Sequence, residues 1–107
     1  MSTFSDELVG RTMHDRNSQP VGQVTAIYRY PAEMHAPGAV EVRSGLLRRT
    51  YLVDLEDARL VEGALAVPHD RQTIKNAPHV EPLIGNTLSE RDALQIREHY
   101  WGTPQPA

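Results

Sequence analysis

Apolar and polar residues alternate along the first two-thirds of the chain, which is the pattern of half-buried β-strands. Ile27 interrupts the alternation of its run, which indicates that this strand is covered on both faces. The alternating runs are residues 9–13, 24–30, 40–43, 51–55, 58–61 and 65–67. The pattern therefore predicts six short strands.

Turn-forming residues separate these runs. Residues 15–20 contain Asp, Asn, Ser and Pro, and we expect Asn17 to supply the left-handed backbone position. Glu62 and Gly63 predict a hairpin turn, and Pro31 to Gly38 is a loop because it holds two prolines and a glycine. Short strands without long helices between them favour an antiparallel barrel, which leaves no exposed sheet edge. We therefore predict a mainly β fold, a small six-stranded antiparallel β-barrel.

The last third of the chain predicts helices. Asp70 is placed to cap a short helical turn that runs to Asn76 and ends before Pro78. Ser89, with Asp92 three residues later, is typical of the start of a longer helix. We expect that C-terminal α-helix to span residues 89–101 and to dock on the barrel, since twelve residues are marginal for an isolated helix.

Composition narrows the range of functions. The chain has 107 residues, no cysteine and a formal net charge of −3, which excludes disulfides, thiolate chemistry and a strong general attraction to nucleic acid. It shows no signal peptide and no apolar run of about eighteen residues that could insert in a membrane. The expected compartment is the cytoplasm.

No catalytic or cofactor-binding motif emerges. The five histidines show no metal-ligand spacing, although His69 and His79 flank the predicted helical turn. Alternation places Asp54 on the polar face of its strand, where we expect a solvated carboxylate and not a catalytic one. Glycine-rich phosphate-binding loops are missing as well. We therefore predict a protein that is not an enzyme and needs no metal or cofactor.

Five motifs follow one another along the chain: Leu8-Val9-Gly10-Arg11, Pro20-Val21-Gly22-Gln23-Val24, Leu52-Val53-Asp54-Leu55, Val67-Pro68 with Ala77-Pro78, and Leu88-Ser89-Glu90 to Tyr100-Trp101-Gly102. Their order resembles the PRC-barrel family, which is named for the cytoplasmic part of the photosynthetic reaction centre H subunit and includes a domain of the ribosome maturation factor RimM. The resemblance covers residues 8–102, with residues 1–7 as an extension and 103–107 as a flexible tail.

The resemblance implies a stand-alone bacterial PRC barrel that acts as an adaptor, binding a protein partner of unknown identity or forming a homodimer. Two residues depart from the family pattern. Ser18 stands where the first turn usually has glycine, and Asp54 replaces a proline of the central strand. An alternative role is that of a RimM-like factor associated with the ribosome or RNA. A second alternative is a peripheral subunit of a redox complex, as the reaction centre H subunit is.

The predicted partner surface centres on the hairpin tip between the third and fourth strands. Three guanidinium groups there, on Arg43, Arg48 and Arg49, could bind phosphate or carboxylate groups, unless Glu41 and Asp54 neutralise them across the strands. The same tip carries Leu46 and Leu47, which either close the end of the barrel or contact a partner.

Two further residues belong to the predicted surface. Met34 lies in the loop from Pro31 to Gly38 and offers an adaptable apolar contact. Arg97 falls within the apolar side of the predicted C-terminal helix. It either extends to solvent or marks where that helix meets an acidic partner.

Overall fold

The computed structural model describes residues 6–44, 49–80 and 86–102 of a mainly β protein. Its strands are β1 (Thr12–His14), β2 (Pro20–Tyr28), β3 (Ala39–Arg43), β4 (Thr50–Asp54), β5 (Arg59–Val61) and β6 (Ala64–Ala66). Its helices are α1 (Arg71–Lys75) and α2 (Glu90–Trp101), with 3₁₀ turns at Asp6–Leu8 and Ala32–Met34. The six predicted strands, the short helical turn and the C-terminal helix are thus confirmed.

The strands form one sheet in the order β4-β3-β2-β1-β6-β5. Four of the strand pairs are antiparallel, but β1 and β6 are parallel, with Met13 opposite Leu65. The prediction of an entirely antiparallel sheet is therefore wrong. The reason is that β2 occupies one edge of β1, so the β5–β6 hairpin adds to the other edge, where β6 runs in the same direction as β1.

The sheet is open in the described part of the chain. No strand pairing joins β4 to β5, the two outer strands. The closed barrel that we expected is consequently not observed. One of the two outer strands, β4, is buried at its carboxyl end beneath α2, and the other, β5, has three exposed residues.

A β-bulge in β2 explains the irregular alternation at Ile27. Val24 lies opposite Val42 and Ile27 lies opposite Val40, so the register shifts between Val24 and Ala26. Residues paired across strands point to the same face, and the extra residue moves Ile27 onto the face of Val24. Ile27 is partly buried against the core, and Tyr28, on the opposite face, is buried. This end of β2 is therefore covered on both faces, as predicted.

The turns at residues 15–20 and 62–63 form where the sequence predicts them. The Asp15 carboxylate accepts hydrogen bonds from the amides of Asn17 and Gln19, at 2.8 and 3.0 Å, and so fixes the first turn. Ser18, with φ of 63°, takes the left-handed position that we had expected for Asn17, and this detail of the prediction is wrong. The turn at Glu62 and Gly63 has positive φ at both residues, which is typical of a tight hairpin.

The entry to α2 is tied to the end of β2. The Arg29 amide donates to the Asn86 carbonyl at 2.8 Å, and the Leu88 amide donates to the Arg29 carbonyl at 2.9 Å. The hydroxyl of Ser89 then accepts from the Asp92 amide at 3.1 Å, which confirms the predicted N-cap. These bonds start α2 at a fixed place on the sheet.

The hydrophobic core lies between the sheet and the side of α2 that buries Ala93, Ile96 and Tyr100. Asp70 caps α1 by accepting from the Thr73 amide at 2.7 Å, as predicted, and Ile74 of α1 is fully buried. Within the described ranges, no helix has the length and apolar character needed to cross a membrane.

Candidate functional site

The side chain of Asp54, at the end of β4, is fully buried and lies at the centre of a polar cluster. Its carboxylate accepts hydrogen bonds from four donors: the Tyr30 hydroxyl, Arg97 Nη1 at 2.9 Å, Trp101 Nε1 at 2.7 Å and the Glu56 amide at 3.0 Å. A buried carboxylate is stable only when it is paired in this way. We call Asp54 and the side chains of Tyr30, Arg97 and Trp101 the Asp54 cluster.

The prediction that Asp54 is solvated is wrong, because α2 covers the face of β4 that alternation marks as polar. The hydroxyl of Tyr100, on α2, donates to the Leu52 carbonyl, and Leu52 itself is only 5% exposed. Both faces of β4 are therefore buried at its carboxyl end. Leu52, an apolar residue on the same face as Asp54, was the sequence signal that this face has a cover.

Arg97 is engaged within the chain. Its guanidinium contacts Asp54 at 2.9 Å and Glu56 at 3.0 Å, and 27% of its side chain remains exposed. Burial lowers the pKa of Arg97, but the charges of Asp54 and Glu56 outweigh burial, so that the pKa is raised. Arg97 thus finds its acidic partner inside the molecule. A contact between Arg97 and a second protein stays a prediction.

Trp101 is held at one end and exposed at the other. Its indole nitrogen donates to Asp54, yet the residue is 42% exposed. Leu94, two helical turns earlier on the same side of α2, is 44% exposed. The two lie on one outer side of α2, which we call the Leu94–Trp101 face, and Arg97 and the exposed Glu98 lie between them along the helix. The sequence indicated an apolar side of this helix but not that these two residues stay outside the core.

The two buried phenols of the site, Tyr30 and Tyr100, are held in their neutral form. Burial raises the pKa of Tyr30 far above its usual value, and the charge of Asp54 and the hydrogen bond to it add to this effect. Burial followed by the Asp54 charge likewise raises the pKa of Tyr100. Both hydroxyls therefore act as hydrogen-bond donors and not as bases.

His69 packs against the carboxyl end of α2. Its ring centroid lies 4.4 Å from that of Tyr100 and 5.1 Å from that of Trp101, and the residue is 6% exposed. Its Nε2 atom is buried and has no hydrogen-bond partner among the described residues. Burial lowers the pKa of His69, against the charge and the backbone of Asp54, which raise it. His69 is therefore neutral in the folded protein near pH 7.

The other residue of the predicted histidine pair, His79, is exposed. The described residues contain no group of histidine and acidic side chains suited to holding a metal ion. Sequence reasoning singled out His69 but could not show that its ring lies beneath α2. The adjacent N-cap at Asp70 was the available signal, because it fixes the backbone beside the histidine.

The predicted arginine tip is described only in part, since Leu46, Leu47 and Arg48 lie outside the described residues. Arg43 and Arg49 are exposed, and neither forms an ion pair within the described ranges. The neutralising partners that we considered are occupied elsewhere. The Glu41 carboxylate accepts from the hydroxyls of Thr25 at 2.8 Å and Tyr28 at 3.0 Å, and Asp54 is buried in its cluster.

Met34 lies on the 3₁₀ turn between β2 and β3 and is half-buried against the core. It therefore has a packing role in the chain. Any contact between Met34 and a partner stays a prediction, as does the partner-binding role of the arginine tip.

The chain matches no protein-family model, and no curated protein matches it significantly. The resemblance to PRC barrels thus stays a prediction.

Proposed function

We propose that this protein is a non-enzymatic protein-interaction module that binds a protein partner through the Leu94–Trp101 face, in the cytoplasm. The observation that carries the proposal is the state of Trp101, which is 42% exposed while its indole nitrogen is satisfied internally by Asp54. An indole fixed in this way presents apolar surface to a partner without leaving a polar atom unpaired.

Interface energetics support this choice of surface. Tryptophan and arginine are enriched among the residues that dominate binding energy, and aromatic side chains lose little entropy on binding. Trp101 and the partly exposed Arg97 are both held by Asp54, so their side chains are oriented before a partner arrives. Leu94 adds a second exposed apolar side chain, two helical turns away on the same side of α2. The partner that suits this face offers apolar side chains to Leu94 and Trp101.

The chemistry of the Asp54 cluster favours binding over catalysis. Asp54 already accepts four hydrogen bonds and is fully buried, so no substrate could reach its carboxylate without breaking the cluster. Tyr30 and Tyr100 are kept neutral, and Arg97 is paired with two carboxylates. These groups support the structure that presents the Leu94–Trp101 face.

Membership of the PRC-barrel family is part of this proposal. The supporting observations are the six short strands, the helix that packs over β4 and the order of the five sequence motifs. A family of adaptor domains accords with a site built for presentation. In this proposal a homodimer is one form that the protein partner could take.

The proposal is tested with a matched pair of surface variants. Leu94→Glu places a charge on the proposed face, and Leu60→Glu places one at a residue of β5 with the same exposure, 45% against 44%. Proteins that bind the immobilised chain are compared for both variants, and sedimentation velocity reports self-association. Loss of one bound protein, or of a dimer, with Leu94→Glu but not with Leu60→Glu supports the proposal. Equal binding by both variants contradicts it.

A second candidate, binding of ribosomal RNA, is favoured by one observation: Arg43 and Arg49 are exposed and form no ion pair within the described ranges. Each phosphate contact releases counterions, so RNA binding should weaken steeply with salt. Cosedimentation of the chain with ribosomes at low and high salt, for the parent and for Arg43→Gln with Arg49→Gln, tests this candidate. Salt-independent association, or association that survives both substitutions, contradicts it.

A further inference from the structure

The last turn of α2 rests on a buried histidine that belongs to another part of the chain. His69 precedes α1, and its ring lies against Tyr100 and edge-on to Trp101. The Nε2 atom of the ring is buried and has no hydrogen-bond partner among the described residues. A proton on Nε2 would therefore create a buried N–H group without an acceptor, at a cost comparable to that of other unpaired buried donors.

The charged and titratable groups around His69 do not offer that acceptor. From β4, the Asp54 carboxylate already accepts from Tyr30, Arg97, Trp101 and the Glu56 amide. From α2, Tyr100 donates its hydroxyl to the Leu52 carbonyl, and His99 contacts the Thr73 carbonyl at 2.6 Å. Next to His69 in the sequence, the Asp70 carboxylate is occupied as the N-cap of α1. The backbone amide of Arg16 donates to the His69 carbonyl at 2.9 Å, so this contact supplies a donor and not an acceptor.

We propose that His69 is a pH-sensitive latch: its protonation releases the last turn of α2 and moves Trp101 out of the orientation that Asp54 imposes. Burial lowers the pKa of His69, because a charged imidazolium is disfavoured away from water. Protonation therefore favours a conformation in which the ring is exposed to solvent. If the Leu94–Trp101 face is the binding site, acid weakens partner binding. That consequence rests on the proposed function, whereas the movement of Trp101 does not.

The release is local because the two halves of α2 are held differently. The first half is fixed by the Ser89 cap and by the fully buried Ala93 and Ile96. The last turn depends on polar contacts of Tyr100 and Trp101 with β4. Acid should thus free the carboxyl end while most of the helix stays docked.

Trp101 is the single tryptophan of the chain, so its fluorescence reports the latch directly. Emission and acrylamide quenching are measured from about pH 8 to about pH 4.5, a range that spans histidine titration, with far-ultraviolet circular dichroism as the monitor of folding. We expect quenching by acrylamide to rise below about pH 6.5 while the circular dichroism is retained. His69→Phe, which keeps an aromatic ring but cannot be protonated, should abolish the rise. His69→Gln serves if the phenylalanine variant fails to fold.

Two control variants separate the latch from other titrations. His35→Asn changes an exposed histidine with φ of 51°, a backbone position that asparagine tolerates, and should leave the transition intact. His99→Gln changes the histidine next to Tyr100 and should also leave it. A transition that disappears with His99→Gln, or persists in both His69 variants, overturns the proposal. So does a fall in emission without any gain in acrylamide access, because it means that His69 is protonated in place.

Partner binding, measured with the Leu94→Glu pair of variants, is independent of this experiment. If Trp101 is released by acid but Leu94→Glu does not affect binding, the latch stands and the proposed function fails. If Leu94→Glu abolishes binding and acid does not expose Trp101, the latch fails and the proposed function stands.

Discussion

The indole nitrogen of Trp101 donates a hydrogen bond of 2.7 Å to the carboxylate of Asp54, 47 residues earlier in the chain. This bond joins the last turn of α2 to the last residue of β4. It explains how a tryptophan can be 42% exposed and still have a fixed orientation. We expect the stability of the fold, the proposed binding face and its response to pH to depend on this contact.

Removing the carboxylate of Asp54 should destabilise the fold. Asp54→Ala leaves the buried hydroxyl of Tyr30 without its acceptor and removes one of the two carboxylates that pair with Arg97. An unsatisfied buried polar group alone costs about 1–3 kcal/mol. Glu56→Ala is the matched control, because Glu56 contacts the same guanidinium but its side chain is 42% exposed. The loss in free energy of unfolding with Glu56→Ala should be below about 1 kcal/mol. Urea unfolding of both variants measures the difference, and equal losses would contradict a central role for Asp54.

Close approach of β2 to β3 gives a second prediction. A Cβ atom at Gly22 would lie 2.2 Å from the carbonyl oxygen of Arg43, whereas a Cβ at Gly10 has no heavy atom within 4 Å. Gly22→Ala must therefore separate two backbones, with a loss of about 1–3 kcal/mol or more. Gly10→Ala carries the cost of its positive φ, about 1–2 kcal/mol, without any steric clash.

The two glycine variants are distinguished by thermal unfolding combined with amide hydrogen exchange. Gly22→Ala should lower protection in β2 and β3, since those strands must move apart, while Gly10→Ala should leave it unchanged. A Gly22→Ala variant with parental exchange in both strands would show that the strands lie further apart than described.

Stability should rise with pH through the acidic side of the histidine range. The folded pKa of His69 is lowered below its unfolded value of about 6.5, so between these two values the unfolded chain binds more protons than the folded chain. The free energy of unfolding therefore falls as the pH drops below about 6.5. Urea unfolding over this range should show a smaller slope for His69→Phe than for the parent. A parental slope in His69→Phe would mean that another group controls it.

Tyr30 and Tyr100 should resist ionisation for as long as the chain is folded. The pKa values of Tyr30 and Tyr100 are raised by burial and by Asp54, so both phenols stay neutral in the folded chain above about pH 10, where an unfolded tyrosine ionises. Their contribution to stability is thus present below about pH 10 and is lost as the pH rises. Phenolate absorbance should show these two groups ionising together with unfolding. Tyr30→Phe should remove one of them, and free titration of both in the folded chain would contradict the burial described.

Much of the fold follows from local rules that can be applied to the sequence. Alternation places the strands, Ser89 and Asp70 place the starts of the helices, and Glu62 with Gly63 places a hairpin. Each depends on neighbours in the chain, so the sequence contains the necessary information. The parallel pairing of β1 with β6 does not follow from local rules, since it depends on which sheet edge stays free after the hairpins form.

The candidate site was harder to predict for the same physical reason. Asp54 has the position of a polar-face residue in its strand, and only the docking of α2 turns it into a buried acceptor. Arg97 was singled out because a charge on an apolar helix side needs a partner, but its partner proved to lie within the chain. Pairing across 43 residues of sequence cannot be deduced from periodicity.

Photocrosslinking inside the cell tests the central claim most directly. A photoreactive amino acid is introduced in place of Leu94 on the proposed face or in place of Leu60 on β5, two positions of nearly equal exposure. We predict that the probe at position 94 forms a discrete crosslink to one protein, or to a second copy of this chain, and that the probe at position 60 does not. Identical products from both positions, or none from position 94, would contradict the account.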